Sequence, residues 1–159
     1  MMIRLLQPER NELVELHRRE RFRGFALEAG AIPSRIIINQ SLRNTQGSAR
    51  AFRWSVPHLI LWQEERVVGT IGGKGLLDTE DEVELGYNVA LPFRRRSIAT
   101  RAIAMMCEMA TNDGINLLAH VEPDNEASSR ALMRNNFRME AIVRLPDSLN
   151  LERWSWSPY

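Results

Sequence analysis

Between Val83 and Asn112 the apolar residues change their period within a few positions. Val83, Leu85, Tyr87 and Val89 alternate with Glu84, Gly86 and Asn88, the spacing of a strand with one buried face. Beyond Ala90–Phe93, the residues Ile98, Ala102, Met105, Met106 and Met109 fall on one stripe of a helix predicted over Arg94–Asn112. Asp113-Gly114 closes it, with glycine at the usual C-terminal stop. A strand that feeds a long amphipathic helix through a short turn needs a sheet beside it and a helix layer over that sheet. This restricts the chain to an α/β architecture.

The turn itself reads Arg94-Arg95-Arg96-Ser97-Ile98-Ala99-Thr100. The first turn of a helix offers free backbone N–H groups and the positive end of the macrodipole, which together make an anion site. Three arginines add charge, and the small Ser97 and Ala99 let a phosphate come close to the backbone. The same residues read equally well as a solvated basic helix start.

The remaining segments fit around this unit. Met2–Leu6 reads as a strand and Glu9–Phe22 as an amphipathic helix with Leu13, Leu16 and His17 at helical spacing. Pro33 opens a second helix through about Leu42, and Asn44–Ser48 is loop. His58–Gln63 and Val67–Lys74 form a predicted hairpin across Glu64-Glu65-Arg66, followed by an acidic turn at Leu77–Glu82. Asn116–Val121 is a short strand. Asn125–Asn135 is a helix with Ala127, Ala131 and Leu132 inward. Phe137–Leu145 and Leu151–Ser157 are closing strands. The expected fold is a mixed sheet with helices on its faces. At 159 residues, with no repeat or linker, a single domain over 1–159 is expected.

Composition removes several function classes. A net charge of +1 argues against a general nucleic-acid binder, although Arg18, Arg19, Arg21 and Arg23 form a local cluster. Cys107 is the only cysteine, so no intrachain disulfide forms, and its Ala, Met and Ile neighbours suggest a buried structural thiol. No signal peptide or apolar span is visible, so a cytoplasmic protein without a membrane partner is expected. No group of His, Cys or carboxylates has metal-ligand spacing. His17 and His58 have no Asp/Ser arrangement of a hydrolase triad around them, and His120 is expected to be structural. Self-association as a homodimer stays open.

The stretch Glu84–Thr100 resembles motif A of the GNAT superfamily of N-acetyltransferases, whose turn reads Gln/Arg-x-x-Gly-x-Gly/Ala. Arg94 matches the first position and Ala99 the last, with Ser97 where Gly is usual. A second match follows the next strand: Asn125 at a helix start and Asn136-Phe137 at its end, where the family has Asn and then Gly-Phe. The resemblance spans roughly Val67–Glu140. It implies a mostly antiparallel sheet with helices on both faces, a splayed central strand pair, and acetyl-CoA as acyl-donor cosubstrate. Val89, Ala90 and Leu91 would take the pantetheine. Arg94, Arg95, Arg96, Ser97, Ile98, Ala99 and Thr100 would form the pyrophosphate turn. Asn125 reads equally as a helix cap and as a CoA contact.

Acyl transfer to an amine requires a proton acceptor, and the leaving thiolate takes up a proton. The pattern Glu84-Leu85-Gly86-Tyr87 is similar to GNAT branches that include the ribosomal-protein N-terminal acetyltransferases, where a Glu on this strand acts as base; the bland alternative is a solvated carboxylate. Ser128, three residues after Asn125, matches the hydroxyl of that branch and is the candidate acid; the bland alternative is an ordinary exposed helix serine. Many relatives use a Tyr at the position of Leu132 here. Tyr87 is expected in the core. The function implied is N-acetylation of a small-molecule amine or a protein N-terminus. The alternatives are a non-catalytic acyl-CoA sensor or scaffold, and RNA binding through the arginine patches.

Overall fold

The computed structural model describes residues 1–43, 45, 47–76 and 81–159, Leu76 through its backbone alone. Most of the expected acidic turn, Leu77–Glu80, and Asn44 and Gln46 of the expected loop lie outside the described residues. The strands are β1 (Ile3–Leu6), β2 (Arg21–Phe22), β3 (Phe25–Leu27), β4 (His58–Trp62), β5 (Arg66–Leu76), β6 (Glu82–Val89), β7 (Asn116–Val121), β8 (Arg138–Arg144) and β9 (Asn150–Trp156). The helices are α1 (Arg10–Glu15), α2 (Arg35–Arg43), α3 (Ala49–Arg53), α4 (Ile98–Asp113) and α5 (Glu126–Met133). The sheet runs β1-β4-β5-β6-β7-β9-β8, with β3 on β5 and β2 on β3. Its pairs are antiparallel except β3–β5 and β6–β7.

Each face of the sheet carries its own core. Val83, Leu85 and Val89 of β6 pack with Ile98, Ala102, Ile103 and Met106 of α4 and with Leu132 of α5. On the opposite face, Leu59, Leu61 and Val67 pack with Leu13 and Leu16 and with Ile38 and Leu42 of α2. Cys107 belongs to the α4 core, and burial pushes its thiol up to about 12, as a structural thiol requires.

Three sequence expectations need correction. The first helix ends far short of Phe22. Its α-helical part stops at Glu15, a 3-10 turn runs through Arg18, and Arg21–Phe22 pairs with Phe25–Ala26 instead. His17 is therefore exposed while Leu13 and Leu16 are buried. Second, α4 begins at Ile98 rather than Arg94, because Arg95 and Ser97 take left-handed φ of 63° and 60°. Third, Ala127 faces outward on α5, with Ala131 and Leu132 buried. The sequence reading also missed β2, β3 and α3.

The ends of α4 and α5 show why the chain turns where it does. Gly114 sits at φ 66° while the N–H of Ile115 reaches the carbonyl of Ala110. Asn136, at φ 63°, does the same after α5, with Phe137 donating to Leu132. Both are left-handed helix stops with a 6→1 bond, and asparagine stands in for glycine in the second.

His58 of β4 is buried, with Nε2 3.0 Å from the carbonyl of Arg53. Burial, and the Arg53 charge with it, holds its pKa below the ordinary 6.5 against the pull of that carbonyl. The unfolded chain therefore takes up this proton before the folded one does. Stability should fall as pH drops below about 6.5, with a slope of at most about 1.4 kcal/mol per pH unit from this group. Urea midpoints between neutral and mildly acidic pH should show the slope, and His58→Asn should flatten it.

Candidate active site

β6 has partners on both sides for only part of its length. On the β5 side it is paired as far as Val89, opposite Gly69. On the β7 side, pairing covers Glu82, Val83 and Glu84 and then stops. Beyond Glu84 the two parallel strands diverge, and a cavity opens on each face of the exposed end of β6.

The smaller cavity, of about 600 Å³, lies between β6, the turn before α4, and α5. Val89, Arg94, Arg95, Ser97, Ile98, Ala99 and Thr100 line it from one side, and Asn125 and Ser128 from the other. Of the remaining pantetheine and pyrophosphate candidates, Ala90 is buried in the α1–α2 core and Leu91 is exposed to solvent. Arg96 lies over the rings of Trp62 and Phe93, at 5.7 and 5.6 Å. None of these three lines the cavity. Sequence reasoning missed Arg130 of α5 and Arg134 just past its end, which bring cationic side chains to it. Its lining holds no Asp or Glu among the described residues.

The start of α4 supplies the donors. Its first helical bond runs from Arg101 N–H to the Ser97 carbonyl, so Ile98, Ala99 and Thr100 keep theirs unused within the helix. The Ser97 side chain makes no capping hydrogen bond at this end. Ser97 reaches its left-handed conformation despite its Cβ, at a cost of about 1–2 kcal/mol relative to glycine's freedom. Arg94 folds back so that its Nε donates to the carbonyl of Val89 at 2.8 Å, on the splayed end of β6. Asn125 caps α5, its side chain accepting from Ser128 N–H at 3.2 Å.

The larger cavity, of about 740 Å³, lies on the α2 face. Ile32, Pro33, Ile37 and Pro57 give it apolar walls, and Ser34, Gln40, Ser41 and Thr70 give it neutral polar groups. Lys74 is the one charged residue among the described lining. Tyr87 and Asn88 line both cavities, so the two meet at this point of β6.

Glu84 sits where the strands part. It accepts from the Lys74 ammonium at 2.6 Å, and His120 Nδ1 of β7 lies 3.1 Å from the same oxygen. Burial raises its pKa, but Lys74 and His120 together outweigh burial and hold the carboxyl below its ordinary 4.5. It is ionised at neutral pH. Glu84 and His120 line neither cavity; Lys74 connects them to the larger one. The expectation that His120 is structural omitted this contact with Glu84. Its only sequence signal was its place on the strand that follows α4.

Tyr87 is only partly a core residue. Its ring packs against the α4 core, but its hydroxyl is buried without a hydrogen bond among the described residues. Burial raises its pKa, and the neighbouring Ser128 pulls it down.

A splayed parallel strand pair beside an uncapped, basic helix start is the frame of a GNAT-type acyltransferase. Residues 1–138 match the family model described as an acetyltransferase (GNAT) domain, and the chain belongs to this family. It is 26% identical over 116 residues to an uncharacterized N-acetyltransferase, YoaA, of Bacillus subtilis (strain 168), covering 72% of this chain. The chain spans 64% of the length of that curated relative. Among solved structures, a chimera of spermidine N-acetyltransferase SpeG from Vibrio cholerae and hSSAT superposes with a TM-score of 0.69 at 10% identity, covering 98% of this chain and 95% of the other. RimL, a ribosomal L7/L12 alpha-N-protein acetyltransferase in complex with coenzyme A, gives 0.65 at 15% identity, covering 98% and 93%. At these identities the structural matches establish a shared fold. Among the described residues, no helix is long and apolar enough to cross a membrane.

Proposed function

We propose that the chain is an acetyl-CoA-dependent N-acetyltransferase acting, in the cytoplasm, on a primary amine of a small molecule or a protein N-terminus. The observation that carries this reading is the pair of cavities meeting at Tyr87 and Asn88. A sensor of acyl-CoA needs only the smaller one. A transferase needs a second chamber that opens onto the same point.

The smaller cavity fits CoA. Free N–H groups at the start of α4, with Arg95 and Arg134 beside them, suit a pyrophosphate. The unpaired edge of β6 beyond Glu84 suits a pantetheine arm that adds to it as a strand would. Acetyl-CoA supplies the thioester. In the transfer a C–N bond forms and the C–S bond breaks; the amine loses a proton and the sulfur gains one. Glu84, ionised and joined to Lys74 and His120, is the group to accept the amine's proton through water, since it lines neither cavity itself. Ser128, on the opposite side of the junction, is the group to serve the sulfur. The acceptor chamber has apolar walls and no acidic group among its described lining, which suits an amine with a neutral tail.

Acetyl-CoA should raise the melting temperature, and a panel of amines should release CoA. Ser97→Asp, which sets a carboxylate against the pyrophosphate site, should weaken CoA about tenfold or more. Ser97→Gly should tighten it or leave it unchanged, and relieve the left-handed strain. Undiminished affinity in Ser97→Asp would move the phosphate site elsewhere. CoA binding without transfer to any amine would leave the sensor reading.

A further inference from the structure

Two hydroxyls lie close together at the junction, near enough for Ser128 to draw the Tyr87 pKa down. Tyr87 rises from β6 on the α4–α5 face, and Ser128 sits in the first turn of α5; both line the smaller cavity. The phenol oxygen is shut off from solvent and has no hydrogen-bond partner among the described residues. A buried hydroxyl left without a partner costs about 1–3 kcal/mol, so its position calls for an acceptor. Ser128 commits its backbone N–H to Asn125, and its hydroxyl is the one that neighbours the phenol.

Resting on the transferase reading above, we infer that Tyr87 is a positioning residue. When the acyl donor is bound, its phenol donates to the Ser128 oxygen, and this directs the Ser128 hydrogen into the cavity towards the departing sulfur. The logic is that of a two-link donor chain. A hydroxyl that accepts one hydrogen bond can still donate one, and the incoming donor fixes where its own hydrogen points. Tyr87 does not give up its proton in this scheme. Burial keeps the phenol neutral, so it remains a donor over the working pH range. The sulfur takes its proton through Ser128, and bulk water restores it.

The kinetic test compares Tyr87→Phe, Ser128→Ala and the double variant. Phenylalanine keeps the ring and removes only the hydroxyl. Tyr87→Phe should lower kcat roughly tenfold with little change in KM for acetyl-CoA, the value of one oriented hydrogen bond. The double variant should be no slower than Ser128→Ala alone, since Tyr87 acts through Ser128. Multiplying losses, or an unchanged kcat in Tyr87→Phe, would overturn the proposal.

A second readout needs no turnover. The chain has two tyrosines, and the other, Tyr159, is 97% exposed. Carbon-13 labelling of the phenol carbon therefore gives two resonances, and the Tyr87 titration is the one shifted upward by burial. With CoA bound, Ser128→Ala should lower the midpoint of the shifted one, because a phenol that donates to Ser128 is held neutral, and CoA should move its resonance in the wild type but not in Ser128→Ala. A Tyr87 signal indifferent to Ser128 would sink the coupling. A wild type that acetylates no amine would sink the transferase reading instead, and the titration would still decide whether the two hydroxyls are joined.

Discussion

Glu84→Gln is expected to lower turnover by about 10²–10⁴-fold, the usual contribution of a positioned base, while CoA affinity stays within a few-fold. Glutamine keeps the shape and can still meet Lys74, but it cannot accept a proton. The loss should shrink as pH rises, because more of the free amine is then already neutral. Ser128→Ala should not follow that trend. The ionised state of Glu84 also sets the acid limb: its depressed pKa keeps the wild-type carboxylate charged down to below 4.5. Its stabilising ion pair with Lys74 is therefore present above that pH and lost as pH falls through the lowered pKa. Near-full activity of Glu84→Gln at neutral pH would hand the proton to His120 or to water.

Gly73→Ala should be among the most damaging single methyl groups in the sheet. A Cβ at this position of β5 would lie 2.3 Å from the carbonyl oxygen of Trp54 and 2.5 Å from Val83 Cγ1. The first is backbone and the second belongs to the core beneath β6, so neither can swing aside. A loss of about 3 kcal/mol or more is expected, at the upper end for overpacking. Denaturant unfolding measures it directly. Because Gly73 pairs with Leu85, one residue past Glu84, the same shift should disturb the junction. Gly86→Ala is the control. Its Cβ would meet only the flexible Lys74 side chain, at 3.5 Å, and should cost far less.

The path from β6 through the basic turn into α4 was legible because its two periods, two and about 3.6, are local properties of the chain. The start of α4 was not. Arg95 and Ser97 carry Cβ atoms, and nothing in their identity announces a left-handed backbone. The first helix was overextended because charged residues at Arg18–Arg23 satisfy a helical pattern as readily as a short strand. The choice was made by a tight hairpin to Phe25–Ala26, turned at Arg23 and Gly24 with positive φ. α3 escaped notice because none of its five residues is buried. At the site, Glu84 and Ser128 could be marked from motifs. His120 and Tyr87 gain their meaning only when β7 lies beside β6 and α5 folds over the strand end, which no local spacing encodes.

The meeting of two chambers at one point of a strand has a consequence for the order of events. Each chamber has its own face of the sheet and its own mouth, so neither ligand has to leave before the other enters. A double-displacement route would require the chain to carry the acyl group between two visits to a single chamber. The chain's one thiol, Cys107, is buried in the α4 core with its proton held to about pH 12, and so is unsuited to that task. Initial-rate plots with both ligands varied should therefore intersect rather than run parallel, and products should inhibit as expected for a ternary complex.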